Sequence, residues 1–360
     1  MDTTLLRRRV AAHGLRLFTW SDSMRPIDAP LRQTGILRIL VCRTSHSLGN
    51  TLLITPLLQE IESIWPGAEI DIVTRNPVAT QLFSNYSGVR NIYCLPRRAM
   101  RHPLQFLQTL AALRKNHYDL AIDTDPRSRT GRALLSRSNA RYKLGFVSQS
   151  KRRGVTHAVE AMLAPKHAGQ IPVYLLRSAM HRVQHDYPAL DVRLTEDERA
   201  QGAEVLDRLV KREEPDVTRR GVIGVFANAT GHKLLDRSWW RDFMPVVEAA
   251  YPGFSFVEIA PASGVSMLDS RYPIYYTSSV RKLSKVLSGL SMLVCLDCGV
   301  MHLARATGTK TAAIFTVTDS AQWGPYGAGA YVVLGADRSA EESARSLVAT
   351  IGADALQPAS

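Results

Sequence analysis

In Leu293-Val-Cys-Leu-Asp297-Cys298-Gly299-Val-Met-His302, an apolar run leads into residue types that suit a phosphate. The run closes at Asp297, Gly299 permits a tight turn, and His302 falls early in a helical pattern. Gly308 ends that pattern, and a second β-type run begins at Thr311. Strand, turn, helix and strand form one βαβ unit with polar residues at the carboxyl end of its first strand. Ligands bind at that edge of open α/β sheets. The free N–H groups and positive dipole of a helix start suit an anion. Asp297, Cys298, Gly299 and His302 are therefore candidates to hold a nucleotide diphosphate. The competing reading is that Asp297 caps the helix and His302 lies on the surface. Cys295 and Cys298 form a single CxxC. No second ligand pair matches it, which disfavours a zinc or redox site.

Elements that would position these residues alternate along the chain. Ile36–Cys42 reads as a buried strand, Arg43–Gly49 as a loop, and Asn50–Ile64 as one helix with apolar residues at 53, 54, 57, 58, 61 and 64. Further strands are expected at Glu69–Thr74, Val89–Leu95 and Tyr118–Asp123, with a helix at Leu104–Lys115. Val173–His185 reads as a helix entering a linker. Thr195-Glu-Asp-Glu198 opens another helix with a capping box. A second series follows. Its strands are Gly221–Phe226, Phe254–Ile259, Met292–Leu296 and Ala312–Val317, and its helices are Ser238–Ala250, Val280–Leu290 and Met301–Thr307. The fold class is α/β with mainly parallel sheets, in two similar domains facing across a cleft. The expected divisions are a basic amphipathic extension (1–35), two α/β domains (36–185 and 186–340) and a C-terminal helix or tail (341–360).

Composition bounds the partners. At roughly 150 residues per domain, 360 residues suit two domains. No run approaches the ~18–20 apolar residues of a membrane span, and Arg16 interrupts the short apolar stretch behind Arg7-Arg8-Arg9, which makes a poor signal peptide. A cytoplasmic location with reduced cysteines is expected. The net charge is +13, and residues 1–180 carry it: 26 Lys+Arg against 11 Asp+Glu, with 19 against 21 in the remainder. The excess is densest at Arg97, Arg98 and Arg101, at Arg127, Arg129 and Arg132, at Arg137, Arg141 and Lys143, and at Lys151-Arg152-Arg153. Such a half attracts polyanions, or is simply a solvated basic face. No nucleic-acid-binding signature is present, so nucleic acid is not an expected partner. Leu5, Leu6, Val10, Leu15, Leu17, Phe18 and Trp20, interspersed with arginines, can form a helix that lies on an anionic membrane or packs on the body.

Three segments carry a family resemblance: Ser45-His-Ser-Leu-Gly49-Asn50 with Thr55-Pro56, Asn228-Ala-Thr230-Gly-His-Lys233 with Trp240 seven residues on, and Asp297-Cys-Gly299-Val-Met-His302. In this order, the chain resembles glycosyltransferase family nine, the bacterial lipopolysaccharide heptosyltransferases. The resemblance implies a GT-B fold of two Rossmann-like domains, the acceptor in the first and the nucleotide sugar mainly in the second. It implies an inverting transfer of heptose or a related sugar from an ADP-linked donor to a phosphorylated glycolipid or polysaccharide at the inner membrane face, with no cofactor or metal. Lys233 would contact phosphate. Thr230, Ser278 and Thr316 join Asp297, Cys298, Gly299 and His302 as donor-side candidates, with Thr318 beside them; the threonines can equally cap a loop.

The chain departs from the family at Asn50, where the family has the aspartate that serves as general base. An amide cannot accept that proton, although Asn50 can orient an acceptor hydroxyl. Asp125 is the first substitute and His46 the second; Asp125 also reads as a turn residue before Pro126. No counterpart of the family's ribose-binding acid stands near Gly264-Val-Ser-Met-Leu. The alternatives are another nucleotide sugar, serving capsule, exopolysaccharide or small-molecule glycosylation, and a degenerate protein that binds sugar nucleotide or glycan without transfer.

Overall fold

The structure is a computed structural model that describes residues 27, 29–96, 102–147, 154–182, 184–213 and 220–352. The expected extension lies mostly outside them, as do Arg97, Arg98, Arg101 and Lys151–Arg153.

Two parallel six-stranded sheets form the frame. The first contains β1 (Arg38–Arg43), β2 (Glu69–Thr74), β3 (Val89–Cys94), β4 (Tyr118–Asp123), β5 (Ala140–Val147) and β6 (His157–Glu160), in the order β3-β2-β1-β4-β5-β6. Its helices are α1 (Leu48–Leu52), α2 (Thr55–Ile64), α3 (Ala79–Leu82), α4 (Pro103–Lys115), α5 (Arg129–Arg137) and α6 (Ile171–Ala179). After an extended crossing comes α7 (Glu196–Glu213), and then the second sheet: β7 (Gly221–Phe226), β8 (Phe254–Ile259), β9 (Ile274–Tyr275), β10 (Met292–Leu296), β11 (Thr311–Phe315) and β12 (Ala330–Leu334), in the order β12-β11-β10-β7-β8-β9. Around it lie α8 (Arg237–Ala250), α9 (Val280–Ser288), α10 (Gly299–Ala306), α11 (Ser320–Trp323) and α12 (Ala340–Ile351).

Alternation along the strands decides which core each residue joins. Ile39 and Val41 of β1 join Leu293 and Cys295 of β10 in one cluster that runs through both halves. Leu40 and Cys42 face the other way, onto Leu113 of α4 and Leu134 of α5. Val294 and Leu296 pack on Phe243 of α8 and Leu347 of α12. Both sheets are thus covered on both faces, and the shared cluster joins them.

Several boundaries differ from the sequence pattern. The single helix expected over Asn50–Ile64 is two, α1 and α2. Pro56 has no N–H to give to the carbonyl of residue 52, and its ring crowds that turn, so the helix stops and restarts. The helix expected to reach His185 ends at Ala179, because His181 adopts a left-handed φ of 55°. The capping box at Thr195 is present: the Glu198 N–H donates to Thr195 Oγ1 and the Thr195 N–H to Glu198 Oε2, both at 3.2 Å. Among the described residues no helix is long and apolar enough to cross a membrane.

Candidate functional site

Three adjacent strands, β11, β10 and β7, end together; a carboxylate follows β10, and the segments after the other two strands deliver one residue each to it. Asp297 follows β10, and its N–H donates to the Ile314 carbonyl of β11 at 3.2 Å. Its side chain is nearly buried. Lys233 Nζ, from the turn after β7, donates to Asp297 Oδ2 at 3.1 Å. Thr318 Oγ1, from the loop after β11, donates to the same oxygen. Gly231 shapes the lysine turn by taking a φ of 66°, which a side chain would resist.

Asp297 therefore does not cap α10. Cys298 is the N-cap, with φ −155° and ψ 173°, and its side chain makes no capping hydrogen bond. The helix start beside Asp297 consequently keeps unsatisfied N–H groups. His302 is not a surface residue either; it is 4% exposed. Its Nδ1 is buried and has no hydrogen-bond partner among the described residues. Burial, with smaller help from His167 and Lys233 and against the pull of Asp297, takes its pKa down to about 4. Near pH 7 the ring is neutral and has one N–H to donate.

The helix start is placed across the cleft by two glycines. A Cβ on Gly49 of α1 would lie 2.6 Å from His302 Cδ2, and one on Gly299 would lie 2.9 Å from Leu48 Cβ. Contact this close brings Asn50, next to Gly49, to the region of α10.

Asn50 is held by Arg43 at the end of β1. Arg43 Nε donates to the Asn50 carbonyl at 2.9 Å, and Nη2 donates to Asn50 Oδ1 at 3.1 Å. The Arg43 guanidinium is buried; burial lowers its pKa, while Asp125 and Asp123 oppose that effect. Asp125 is half-buried, and its Oδ1 accepts the Arg127 N–H at 2.8 Å, as a turn residue does. His46 is exposed. On the donor side Thr230 and Ser278 are exposed and Thr316 is half-buried. Trp240 is a core residue, 1% exposed, packed edge-on against Phe243.

The structure thus gathers Lys233, Asp297, Cys298, Gly299, His302 and Asn50 at one cleft. It separates Arg132 from the basic surface: the guanidinium lies 3.5 Å from Asp123 Oδ2 and also donates to the Phe146 carbonyl. Sequence reasoning missed Arg43. Its signal was a charged residue directly behind an apolar strand run. Among the described residues no group of three or more His, Cys, Asp or Glu could hold a metal ion. The arrangement offers a cation, a helix start and a neutral imidazole, which together suit a diphosphate.

Comparison with known proteins agrees with this fold. Residues 278–349 match the family model of glycosyltransferase family 9 (heptosyltransferase). That span includes Asp297, Gly299, His302 and Thr318. Three solved structures share the fold. A family 9 glycosyltransferase from Veillonella parvula DSM 2008 superposes with a TM-score of 0.70 at 17% identity, covering 85% of this chain and 88% of the other. The E. coli heptosyltransferase WaaC with ADP gives 0.64 at 17% identity over 89% and 98%. E. coli ADP-heptose LPS heptosyltransferase II gives 0.61 at 13% identity over 89% and 96%. No curated protein sequence matches the chain significantly.

Proposed function

We propose, from the premise that this chain is a glycosyltransferase of GT-B fold with a family 9 (heptosyltransferase) signature in its C-terminal half, that it transfers heptose or a related sugar from an ADP-linked donor. The acceptor is a phosphorylated glycolipid or polysaccharide of the lipopolysaccharide core type, met at the cytoplasmic face of the inner membrane. Residues 186–340 bind the donor and residues 36–185 the acceptor.

The observation that carries this reading is the meeting of Lys233 and Thr318 on Asp297, beside the open start of α10. A departing diphosphate gains negative charge during transfer. Lys233, the N–H groups of α10 and the single proton of His302 are fixed dipoles and charge that favour it without a metal. Thr230, Ser278 and Thr316 line the approach to the donor. WaaC, whose fold this chain shares, was solved with ADP and with ADP-2-deoxy-2-fluoro heptose. Inversion requires a proton acceptor on the attacking face. Asp125 takes that role, with His46 as second candidate, and Asn50 orients the acceptor hydroxyl.

Asn50 favours a second reading, a protein that binds a sugar nucleotide without efficient transfer, because its amide is held on Arg43 and cannot accept a proton. A transfer assay separates the two. ADP-, UDP- and GDP-linked sugars are each offered with a phosphorylated core glycolipid. Turnover with the ADP-linked sugar alone supports the proposal. Binding without turnover supports the second reading, and preference for another nucleotide rejects the donor assignment.

A further inference from the structure

We infer that Arg75 is an anion clamp in the acceptor half, a guanidinium that binds a phosphate monoester carried by the acceptor. Arg75 directly follows β2 at its carboxyl end. Its N–H donates to the Ser45 carbonyl, in the loop after β1, at 3.3 Å. Its Nη2 donates to Thr130 Oγ1, in the first turn of α5, at 3.4 Å. The helix α5 follows β4, and β1 lies between β2 and β4 in the sheet. The side chain therefore reaches across the end of β1, along the edge where ligands of open α/β sheets bind.

The segments around Arg75 are tied together. Asn76 Nδ2 donates to Thr51 Oγ1 of α1 at 2.9 Å and to the Ser47 carbonyl at 3.4 Å. The hydroxyls of Thr44 and Ser128 are hydrogen-bonded at 2.8 Å, which joins the loop after β1 to the start of α5. Asn50 is also on α1. Arg75 thus has a set place relative to the residue proposed to orient the acceptor hydroxyl.

Arg75 lacks a counter-ion: among the described residues it pairs with no carboxylate. It is half-buried, its Nε is buried without a hydrogen-bond partner among them, and its bond to Thr130 is long. The neighbouring guanidiniums of this edge are occupied, Arg43 by Asn50 and Arg132 by Asp123 and the Phe146 carbonyl. A partly buried cation short of partners carries a desolvation cost that a bound anion removes. Phosphate oxygens match the planar fork in pairs, which fixes orientation as well as charge. Arg75 reads the phosphate by contact; the exposed Arg127 and Arg129 contribute an attracting field.

This inference rests on the proposed acceptor half, and the experiment separates the two. Full-length protein is assayed with the ADP-linked sugar and the phosphorylated core glycolipid, before and after phosphatase treatment of the glycolipid. In the wild type, treatment should raise the acceptor KM about tenfold or more, the loss expected for a charge-assisted hydrogen bond, with kcat nearly unchanged. Arg75→Ala should show the raised KM with the untreated glycolipid, and treatment should then change it little. Arg75→Lys should recover part of the loss, since an ammonium supplies charge without the fork. ADP affinity and the urea unfolding midpoint of Arg75→Ala should match the wild type. An Arg75→Ala enzyme that favours the phosphorylated glycolipid as strongly as the wild type overturns the inference. Weakened ADP binding would assign Arg75 to the donor, and a lowered urea midpoint would make its role structural; either result also overturns it. Both glycolipid forms are titrated in parallel without donor. If the wild type transfers to neither form yet binds the phosphorylated one more tightly than Arg75→Ala does, the transfer reading fails and the clamp stands. Equal binding by the wild type and Arg75→Ala overturns the clamp whatever the turnover.

Discussion

The imidazole of His302 lies against the α-carbon of Gly49, so that a methyl group on Gly49 would sit 2.6 Å from His302 Cδ2. One residue belongs to the first half and one to the second. Each also adjoins a residue of the proposed chemistry: Gly49 precedes Asn50, and His302 lies in the first turn of the helix that Cys298 caps. The fit of the two halves and the geometry of the site are therefore one feature.

Gly49→Ala tests that link. Alanine is a better helix former than glycine, so local propensity favours the change. The contact opposes it, since the ring is buried and would have to shift. Overpacking of this kind costs about 1–3 kcal/mol. Urea unfolding should show that loss, and transfer assays should show kcat/KM at least tenfold lower. Wild-type stability and turnover would mean that α1 and α10 are not this close in solution.

His302 should also make stability depend on pH. Its pKa is about 4 when folded and near 6.5 when unfolded. Between these values the unfolded chain binds more protons, so stability rises with pH there and falls on acidification from pH 6.5 toward 4. The full span is worth on the order of 3 kcal/mol. His167 and His157 are likewise lowered, mainly by burial, and act in the same direction. Denaturation curves of the wild type and His302→Asn across this range should differ in slope, with the shallower dependence in the variant. Parallel curves would contradict the buried neutral ring.

The missing base gives a paired experiment. Asp125→Asn should lower kcat by about 10²–10⁴, the usual worth of general base catalysis, with donor affinity nearly unchanged. Asn50→Asp places a carboxylate where the amide oxygen now accepts from Arg43 at 3.1 Å. Paired with that guanidinium it stays ionised and is a weak base, so a gain below tenfold is expected. Full turnover in Asp125→Asn, together with a large gain in Asn50→Asp, would mean that no substitute base exists.

Much of this was legible in the sequence, and the misses have physical causes. Most core strands of both sheets announced themselves as apolar runs, and Gly299 and Lys233 fell in recognisable spacings. Asp297 and His302 stood out in the sequence, but their surroundings did not. An aspartate before a helix reads as a cap, and only the fold shows its carboxylate taken by Lys233 and Thr318 from two other strand ends. The break between α1 and α2 was hidden because the apolar spacing continues through it, although Pro56 marked the place. Arg132 read as one more surface cation; its pairing with Asp123 depends on the neighbouring strand.

The acceptor side can be probed by charge. Arg127 and Arg129 are exposed, whereas Arg132 is tied into the fold. Arg127→Glu with Arg129→Glu should raise the acceptor KM several-fold and leave ADP affinity alone. Added salt should shrink the difference, since exposed charges are screened over about 8 Å at physiological ionic strength. Equal loss of donor and acceptor binding would place the acceptor elsewhere.

The donor assignment is tested most directly by titrating ADP into the wild type and Lys233→Ala and comparing the heats. Lys233 now rests on Asp297 and can turn its charge to a phosphate. Its loss should weaken ADP by about 1.5–3 kcal/mol, the range for a hydrogen bond to a charged group. Equal affinity in a folded Lys233→Ala variant, or no binding of ADP by the wild type, would contradict the account.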